Sequence, residues 1–325
     1  MENRVLTVDL GTSYVTVGDG RSLVKRVPNV GRFTVNKGKL RLESYGAAAV
    51  NSKNGTESNG DIIRPVDEGV VLNSEAAALI IKELLSETDK KNFFDTRSVY
   101  VSISSGLTTI ERDETEQVFL KAGYNDVRLI ESVLALAPFV NGEGSVVAVL
   151  GGGSFEAGVL TRDGIVTACS LNVGGETVNK LIIDLIFEQF KLKISTVTAE
   201  QLKVQIGSLY ERDLSRKEIS GRDVIDGKIK NVEITAEEIR AAISYCYQKY
   251  VDVIESMLTT IPVTLLDKVA KNGLYIAGGG AEMRGVEDFL TKRLKMPVRT
   301  ISEPQLAVAR GLQIIATDAK YSLFK

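Results

Sequence analysis

The sequence predicts an α/β protein made of two similar lobes that face each other across a cleft. Near the N-terminus, apolar residues Val5, Leu6 and Val8, a tight Gly-Thr-Ser turn and a second apolar run from Tyr14 indicate a hairpin. Residues 146–164 repeat this pattern around a Gly-Gly-Gly-Ser turn, and both copies end in an Asp-Gly turn. Two copies far apart favour two lobes of similar build, with coincidental hairpins as the alternative. Strand and helix patterns throughout the chain favour mixed sheets flanked by helices.

Length and composition narrow the classes of function. The chain has 325 residues, a net charge of −2 and 44% hydrophobic residues, which suits a globular protein of two domains. The small net charge argues against a general nucleic-acid binder. Histidine is absent, which excludes histidine triads and histidine metal sites, and neither Cys169 nor Cys246 has metal-ligand spacing. Without a long apolar run or a signal-peptide pattern, we expect no membrane span, no export and a cytoplasmic location.

Apolar spacing and capping residues predict the helices. Capping boxes that begin at Thr198 and Thr235 predict a helix over residues 199–209 and a long helix that runs through Leu258. Further helices are predicted over residues 73–86, 111–122, 176–190, 285–294 and 305–316.

Three glycine-containing loops at predicted strand ends are candidate ligand-binding elements. They are Gly11, Thr12 and Ser13; Gly151, Gly152, Gly153 and Ser154; and Gly278, Gly279 and Gly280. Glycine lets backbone N–H groups approach a ligand closely, and such groups suit phosphate oxygens. Asp9, just before the first loop, can hold Mg²⁺ directly or through water. One such loop can be purely structural, but three in a two-lobed chain favour a nucleotide.

Glu200, Lys203 and Gly207 form a further candidate set. Their spacing of three and four residues places them on one helix face. The Glu can accept hydrogen bonds from ribose hydroxyls, the Lys can line the base or ribose, and the Gly leaves room. A solvated Glu–Lys pair on the helix surface is the alternative interpretation.

The order and spacing of several motifs resemble one protein family. The motifs are Asp9-Leu-Gly-Thr12, Arg64-Pro-Val-Asp-Glu-Gly69, Glu111-Arg112, Lys121-Ala-Gly123, Leu129-Ile-Glu131, Gly151-Gly-Gly153, Val173-Gly-Gly175, Ala199-Glu-Gln-Leu-Lys203, Ile206-Gly-Ser208 and Ala277-Gly-Gly-Gly-Ala281. Over essentially the whole chain, the sequence resembles the bacterial actins, most closely the MreB branch of the superfamily that includes actin, sugar kinases and heat-shock chaperones.

The resemblance implies the actin-like fold, in which two similar lobes with small outer subdomains enclose a nucleotide cleft. It also implies ATP or GTP as the ligand, together with Mg²⁺ held through water by Asp9. The nucleotide-binding residues carried over from the family are Asp9, Gly11, Thr12, Ser13, Gly151, Gly152, Gly153, Ser154, Glu200, Lys203, Gly207, Gly278, Gly279 and Gly280.

The family pattern also predicts the domain organisation. Lobe I is expected over residues 1–142, with an inner subdomain at 1–28 and 61–142, an outer subdomain at about 29–60, and the C-terminal helix 305–325 packed back onto it. Lobe II is expected over residues 143–304, with an inner subdomain at 143–175 and 233–304 and an outer subdomain at about 176–232.

Two positions depart from the family pattern. The family has an Asp two residues before the second glycine loop, where this chain has Val149. The family also has a Glu-Glu-Pro sequence whose second Glu orients the attacking water, where this chain has Glu131, Ser132 and Val133. An ungapped comparison places Ser132 at the catalytic position, whereas a shift of one residue assigns the catalytic role to Glu131. Because phosphoryl transfer depends on positioning and charge neutralisation, we expect slow or absent hydrolysis, with nucleotide binding partly retained.

The resemblance predicts a filament-forming, actin-like cytoskeletal protein that acts in cell shape or intracellular organisation. Its partners would be further copies of the chain in protofilaments, or another actin-like subunit, and no nucleic acid. A non-polymerising nucleotide-binding adaptor of the division or pilus type is the first alternative, favoured by the loss of the Asp at Val149. A small-molecule kinase of the same superfamily is the second, but neither an Asp general base nor large substrate insertions are evident.

A predicted loop near residue 92 suggests a membrane contact. Phe93 and Phe94 are adjacent aromatic residues preceded by Lys90 and Lys91. Exposed aromatic rings are costly in water, and lysines suit anionic lipid headgroups. Contact with the inner face of the membrane is therefore one expectation, and packing of both rings on the lobe is the other.

Overall fold

Two five-stranded sheets of equal topology frame the protein in the computed structural model, which describes residues 4–51, 60–88 and 97–324. The strands of the first part of the chain are β1 (Arg4–Leu10), β2 (Tyr14–Gly18), β3 (Leu23–Pro28), β4 (Gly31–Asn36), β5 (Lys39–Tyr45), β6 (Asp61–Ile63), β7 (Val66–Asp67), β8 (Val70–Val71), β9 (Arg97–Ile103) and β10 (Asp126–Glu131). The helices there are α1 (Ala47–Asn51), α2 (Ser74–Thr88) and α3 (Thr109–Ala122), followed by a 3₁₀ helix (Leu134–Phe139).

The second part of the chain repeats the scheme and adds helices. Its strands are β11 (Glu143–Leu150), β12 (Phe155–Thr161), β13 (Gly164–Leu171), β14 (Leu192–Lys193), β15 (Arg216–Asp223), β16 (Ile229–Thr235), β17 (Leu274–Ala277) and β18 (Val298–Thr300). Its helices are α4 (Gly175–Phe190), α5 (Thr196–Ile206), α6 (Ala236–Leu258), α7 (Val263–Asn272), α8 (Val286–Leu294) and α9 (Ala307–Thr317), with 3₁₀ helices at Gly279–Glu282, Pro304–Leu306 and Ala319–Phe324.

The two large sheets have the same strand order. The first runs β10-β9-β1-β2-β3 and the second runs β18-β17-β11-β12-β13. In each, a three-stranded antiparallel meander is extended on one side by two parallel strands. This equivalence confirms the prediction of two similar lobes, because the repeated hairpins β1–β2 and β11–β12 lie at matching places in matching sheets.

Among the described residues, two small three-stranded sheets lie outside this frame, in addition to the two-stranded pair β7–β8. One consists of β5, β4 and β6, and the other of β14, β15 and β16. Both three-stranded sheets are antiparallel in the described residues. In the sequence, each follows the antiparallel meander of its large sheet. The first falls near the predicted outer subdomain at 29–60 and the second near the one at 176–232, while the exact lobe boundaries stay a prediction.

Three apolar clusters hold the frame together. One covers the first sheet under α2 and α3, and a larger one covers the second sheet under α4, α5, α6 and α8. The third joins the two halves, with Ile130 from β10, Val147 from β11 and Leu312 from α9 all buried in it. Helix α9 packs against β1, β9 and the 3₁₀ helix at Leu134–Phe139. Burial of this shared apolar surface keeps the two sheets in a fixed arrangement around the cleft.

The helix predictions are mostly confirmed, with one clear error. Helix α6 begins as predicted, because Thr235 and Glu238 form a reciprocal capping box. The helix predicted over 199–209 is instead α5, Thr196–Ile206, since the Ser195 hydroxyl accepts from the backbone N–H of Thr198 at 3.1 Å and starts the helix earlier. Helix α7, which starts directly after Pro262, was not predicted.

The predicted membrane-contact residues Lys90, Lys91, Phe93 and Phe94 lie outside the described residues. In the part of the chain that the structure describes, none of the helices combines the length and apolarity needed to cross a bilayer.

Candidate functional site

The first and second glycine loops meet in the cleft between the two sheets. A Cβ atom added to Gly152 would lie 2.0 Å from Ser13 Oγ, and one added to Gly153 would lie 2.5 Å from Thr12 Oγ1. Both distances are far below van der Waals contact, so only glycine fits at these positions. The structure therefore brings the two predicted phosphate-binding loops together, with backbone from one lobe facing hydroxyls from the other.

The first loop is held in place by its own lobe. The Gly11 N–H donates to Tyr14 O at 3.0 Å, which closes the turn between β1 and β2. Asn29 is buried behind the loop, where its side-chain amide donates to Gly11 O at 2.8 Å and its backbone N–H donates to Ser13 O at 2.9 Å. The Gly69 N–H donates to Thr12 Oγ1 at 3.0 Å. These bonds fix the loop without using its hydroxyl protons.

The second loop has the same turn but a different support. The Gly151 N–H donates to Ser154 O at 2.9 Å, which matches the first loop. The first residues of α4 then bind the loop from below, because the N–H groups of Gly175 and Glu176 donate to Gly151 O at 3.0 Å and Gly152 O at 2.8 Å. These donors are among those that a helix N-terminus leaves without an intrahelical partner. The start of α4 therefore fixes the loop and adds the positive end of a helix dipole beside it.

Glu176 also links the two lobes. The Ser13 hydroxyl donates to Glu176 Oε1 at 3.3 Å, and the Arg64 guanidinium lies 3.8 Å from the same oxygen. Both partners belong to the first half of the chain, while Glu176 is in the first turn of α4. This contact was not predicted from the sequence.

The third glycine loop follows β17 and lies against the second. Gly278 has φ +86°, and a Cβ there would lie 2.4 Å from Leu150 O, so the position requires glycine. Its N–H donates to Pro304 O at 2.7 Å, while the Tyr247 hydroxyl donates to Gly280 O at 2.5 Å. A Cβ on Gly279 would meet no atom within 4 Å, so its backbone faces open space.

Glu200 and Lys203 are hydrogen-bonded to α4, the helix whose first residues support the second loop. Lys203 Nζ donates to Glu200 Oε2 at 2.7 Å and to Gly175 O at 3.0 Å. The Asn179 amide on α4 donates to the same Glu200 oxygen at 2.7 Å. The Lys203 side chain is only 13% exposed, so the pair is more than a solvated surface contact. Gly207 ends α5, and its carbonyl accepts from Arg284 Nε at 3.1 Å in the segment that follows the third loop.

Asp9 is a mostly buried carboxylate at the end of β1. The Ser102 hydroxyl on neighbouring β9 donates to Asp9 Oδ1 at 2.6 Å. Burial raises the pKa of Asp9, and the Ser102 hydrogen bond and the Arg26 charge oppose that rise. Arg26 lies on β3 in the same row across the sheet, because Asp9 pairs with Thr16 and Thr16 pairs with Arg26. Arg26 stacks on the Tyr14 ring, 3.7 Å from its centroid.

The structure reveals a second buried carboxylate, Glu156, which was not predicted from the sequence. Glu156 pairs with Val149 across β11 and β12 and is 5% exposed. Its Oε2 accepts from the Ser105 N–H at 3.0 Å, in the loop that follows β9 of the other sheet. Burial raises the pKa of Glu156 to about 7, and the nearby Asp9 carboxylate contributes to the rise. The repeat itself could have indicated it, since Glu156 follows Val149 at the spacing with which Thr16 follows Asp9.

Glu131, the predicted catalytic residue, is engaged in an ion pair. Arg112 Nη2 on α3 donates to Glu131 Oε1 at 2.7 Å. Ser132, the alternative position, is buried, and its hydroxyl and N–H both donate to Ile103 O, at 3.0 and 2.8 Å. Glu131 lies on β10, two strands away from β1, so the sheet separates it from Asp9 by about 10 Å of strand spacing. Neither side chain is bonded to a residue of the glycine loops among the described residues.

The side chains at the cleft fit a nucleotide accompanied by a divalent cation. Backbone amides, hydroxyls and a helix N-terminus can bind phosphate oxygens. The described residues contain no group of three metal-ligating His, Cys, Asp or Glu side chains. Asp9 offers a carboxylate beside the first loop, and Mg²⁺ is commonly held by one or two carboxylates together with phosphates and water.

Comparison with known proteins identifies relatives over nearly the whole chain. The sequence model of the MreB/Mbl protein family matches residues 3–323. The chain is 28% identical over 319 residues to the cell shape-determining protein Mbl of Bacillus cereus, covering 96% of this chain and 95% of the relative. It is 27% identical over 316 residues to the cell shape-determining protein MreB of Escherichia coli K12, covering 94% and 91%.

Solved structures show the same fold. The chain matches MreB5 of Spiroplasma citri bound to AMPPNP with a TM-score of 0.88, 26% identity and coverage of 97% and 96% of the two chains. It matches the same protein bound to ADP with a TM-score of 0.89, 25% identity and coverage of 99% and 98%. The MamK double helical filament shares the fold at a TM-score of 0.83 and 17% identity, over 98% of this chain and 99% of MamK. The predicted actin-like fold is confirmed.

The buried Glu156 predicts a pH-dependent cost to stability. Burial raises its pKa from the usual 4.5 to about 7, so as the pH rises the unfolded chain loses the proton first and the folded state is progressively destabilised across that interval. Glu156→Gln removes the charge while its amide oxygen still accepts from Ser105. Without metal or nucleotide, we expect the variant to exceed the wild type in free energy of unfolding by on the order of 2 kcal/mol at pH 8, with little difference at pH 5.

Urea denaturation in the presence of a chelator measures this difference. Glu143→Gln is the matched control, because Glu143 is an exposed Glu on β11 paired with Arg162. A wild type that is more stable than Glu156→Gln at pH 8, or a difference that does not depend on pH, would contradict the assignment.

Proposed function

Because the chain belongs to the MreB/Mbl family, we propose that it is an actin-like cytoskeletal protein that binds ATP with Mg²⁺ in the cleft and assembles into filaments. The observation that supports nucleotide binding most directly is the meeting of the two glycine loops, each the turn of an equivalent hairpin. Phosphate oxygens bound at this point would face groups from both lobes, because the backbone of the second loop lies against the hydroxyls of the first.

The phosphate groups would lie at the two hairpin loops. Gly11, Thr12 and Ser13 contribute from the first lobe and Gly151, Gly152, Gly153 and Ser154 from the second. Glu200, Lys203 and Gly207 would face the ribose and base, and Gly278, Gly279 and Gly280 would close the other side of the base. The Lys203 bond to Gly175 O supports this arrangement, because it ties the proposed sugar-binding helix to the support of the second phosphate loop.

We propose ATP rather than GTP as the ligand. The solved MreB5 structures of Spiroplasma citri contain AMPPNP and ADP, and both ligands are adenine nucleotides. MreB5 of Spiroplasma citri is identical to this chain at about a quarter of the aligned residues. Competition between ATP and GTP for a fluorescent nucleotide bound to the protein distinguishes the two.

A divalent cation would be held near Asp9. When bound, Mg²⁺ supplies positive charge that neutralises phosphate oxygens and favours in-line attack. Asp9 is suited to this site because its carboxylate is mostly buried, bonded by Ser102 and close to the first loop. Its other oxygen would bind a water of the cation, while Ser102 fixes the side-chain orientation.

We propose that hydrolysis is slow. Val149 leaves the first strand of the second hairpin without a carboxylate at the position equivalent to Asp9. Glu131, the remaining acidic candidate for orienting water, is paired with Arg112, and the Ser132 hydroxyl donates to Ile103 O. A chain that binds ATP but hydrolyses it slowly would remain longer in its triphosphate state and make long-lived filaments.

The cellular role follows from the relatives. The Bacillus cereus and Escherichia coli relatives are named cell shape-determining proteins, and we propose the same area of function here, in the cytoplasm at the inner face of the membrane. Further copies of this chain are the proposed partners, and another actin-like subunit is the alternative. A non-polymerising nucleotide-binding adaptor is the second candidate function, which Val149 favours because the acid of the family pattern is missing there.

Filament assembly is the first test of this proposal. With ATP or AMPPNP and Mg²⁺, we expect the protein to sediment and to show filaments by negative-stain electron microscopy, because the resemblance to bacterial actins implies filaments that hydrolysis switches off. The same experiment with ADP reports the dependence on nucleotide state. Absence of filaments with every nucleotide, in a protein shown to bind ATP, would refute the filament proposal in favour of the adaptor.

The second test concerns hydrolysis and Val149. At saturating ATP and Mg²⁺, we expect slow phosphate release from the wild type and a rate raised roughly tenfold in Val149→Asp, because the variant adds a carboxylate to the metal's surroundings. Val149→Asn is the matched control of nearly equal shape without the charge. A wild-type rate equal to that of Escherichia coli MreB measured alongside, or equal rates for both variants, would count against the explanation.

The third test concerns the proposed membrane contact. Phe93 and Phe94 would insert between anionic headgroups that Lys90 and Lys91 attract. We expect co-sedimentation with vesicles of anionic phospholipid to fall strongly in the double variant Phe93→Ala/Phe94→Ala. Ile225→Ala is the control, because Ile225 is an apolar side chain that is 83% exposed elsewhere on the surface. Equal loss in both variants, or unchanged binding in the double variant, would argue for packing of the rings on the lobe.

A further inference from the structure

The two equivalent hairpins carry their acidic residue on different strands. In the first lobe, Asp9 on β1 pairs with Thr16 on β2. In the second lobe, Val149 on β11 pairs with Glu156 on β12. Directly paired residues point to the same face of a sheet and stand about 5 Å apart. Each lobe therefore presents one carboxylate in the corresponding row, on the first strand in one case and on the second strand in the other.

The surroundings of Glu156 place its carboxylate between the lobes. Its Oε2 accepts from the Ser105 N–H, which follows β9, and Ser102 at the end of that strand donates to Asp9. Both acids thus converge on the same end of β9 from opposite sides of the cleft.

Two carboxylates that lie at the same end of β9 repel each other and lose hydration, which is costly without a cation. Within residues 4–51, 60–88 and 97–324, no ion pair joins Asp9 or Glu156 to a Lys or Arg side chain, and Arg26 acts on Asp9 only at longer range. The longer Glu side chain also reaches further than an Asp at the same backbone position. A divalent cation beside the phosphates would offset the repulsion that the protein itself leaves in place.

We propose that Glu156 is the second lobe's carboxylate for the cation that accompanies the nucleotide, and that it acts opposite Asp9 in place of the acid missing at Val149. This inference rests on the proposed nucleotide binding and extends it. Glu156 acts as a positioning residue that holds the cation, or the waters around it, from the second lobe. It follows that metal-dependent nucleotide binding is retained in this chain even though the family's Asp is absent.

A purely structural role for Glu156 makes a different prediction. Its hydrogen bond to the Ser105 N–H joins the lobes, and its loss alone would weaken nucleotide binding equally with and without metal. Loss of a metal-holding carboxylate instead weakens binding only when Mg²⁺ is present. The ratio of nucleotide affinity in Mg²⁺ to that in a chelator therefore separates the two roles.

Isothermal titration of the full chain with AMPPNP, in Mg²⁺ and in chelator, measures this ratio. We expect the wild type to bind AMPPNP more tightly in Mg²⁺ than in chelator. In Glu156→Gln, we expect the ratio of the two affinities to fall by about 10- to 100-fold, while the affinity in chelator changes little. The double variant Val149→Asp/Glu156→Gln should recover much of the ratio, because the acid returns to the first strand. Glu143→Gln should behave as wild type, since Glu143 lies at the far end of β11.

Each other outcome overturns the inference. An unchanged Mg²⁺ ratio in Glu156→Gln, or an equal loss in both conditions, assigns Glu156 a structural role only. If Glu156→Gln does not fold, Val149→Asp/Glu156→Thr copies the arrangement of Asp9 and Thr16 and must retain the wild-type ratio. Wild type that binds AMPPNP equally well in both conditions refutes the inference while leaving nucleotide binding intact, whereas wild type that does not bind at all refutes the proposed function.

Discussion

The close approach of the two hairpin loops is the constraint on which the rest of the site depends. Gly152 and Gly153 have no room for a side chain against Ser13 and Thr12. Each loop is fixed by its own lobe, the first by buried Asn29 and the second by the start of α4. The two supports are also joined, because the Ser13 hydroxyl of the first loop donates to Glu176 at the start of α4. The geometry of the cleft therefore depends on this link together with the apolar cluster that the two sheets share.

Much of the architecture could be predicted from the sequence because it depends on local sequence patterns. The two hairpins, the glycine loops and the capping box at Thr235 depend on neighbours within a few residues, and the structure contains all of them. Glu156 was not predicted because the first hairpin carries its acid, Asp9, on the first strand, whereas the second hairpin carries it on the second strand. Its position opposite Val149 depends on strand register, which the equal turn lengths of the two hairpins could have supplied. The pairing of Glu131 with Arg112 was less accessible, since it depends on how α3 packs beside β10.

The site also shows how a binding function can act against stability. Glu156 is buried and Asp9 mostly buried, and burial raises the pKa of each. A fold selected for stability alone would place neutral residues there, as it does at Thr16 and Val149 in the paired positions. Retaining two acids in the cleft is therefore a sign of function rather than of packing.

The position of α9 has a consequence for biosynthesis. This helix, at residues 307–317, packs on β1 at residues 4–10, and its Leu312 and Ile315 complete the cluster that joins the two sheets. A ribosome therefore releases β1 long before the helix that covers it exists. During that interval the face of the first sheet that packs against α9 is uncovered, although α2 and α3 can already cover the other face. Contacts this distant in sequence also form slowly. We expect the nascent chain to be most prone to aggregation late in translation, and to become fully ordered only after α9 has left the exit tunnel.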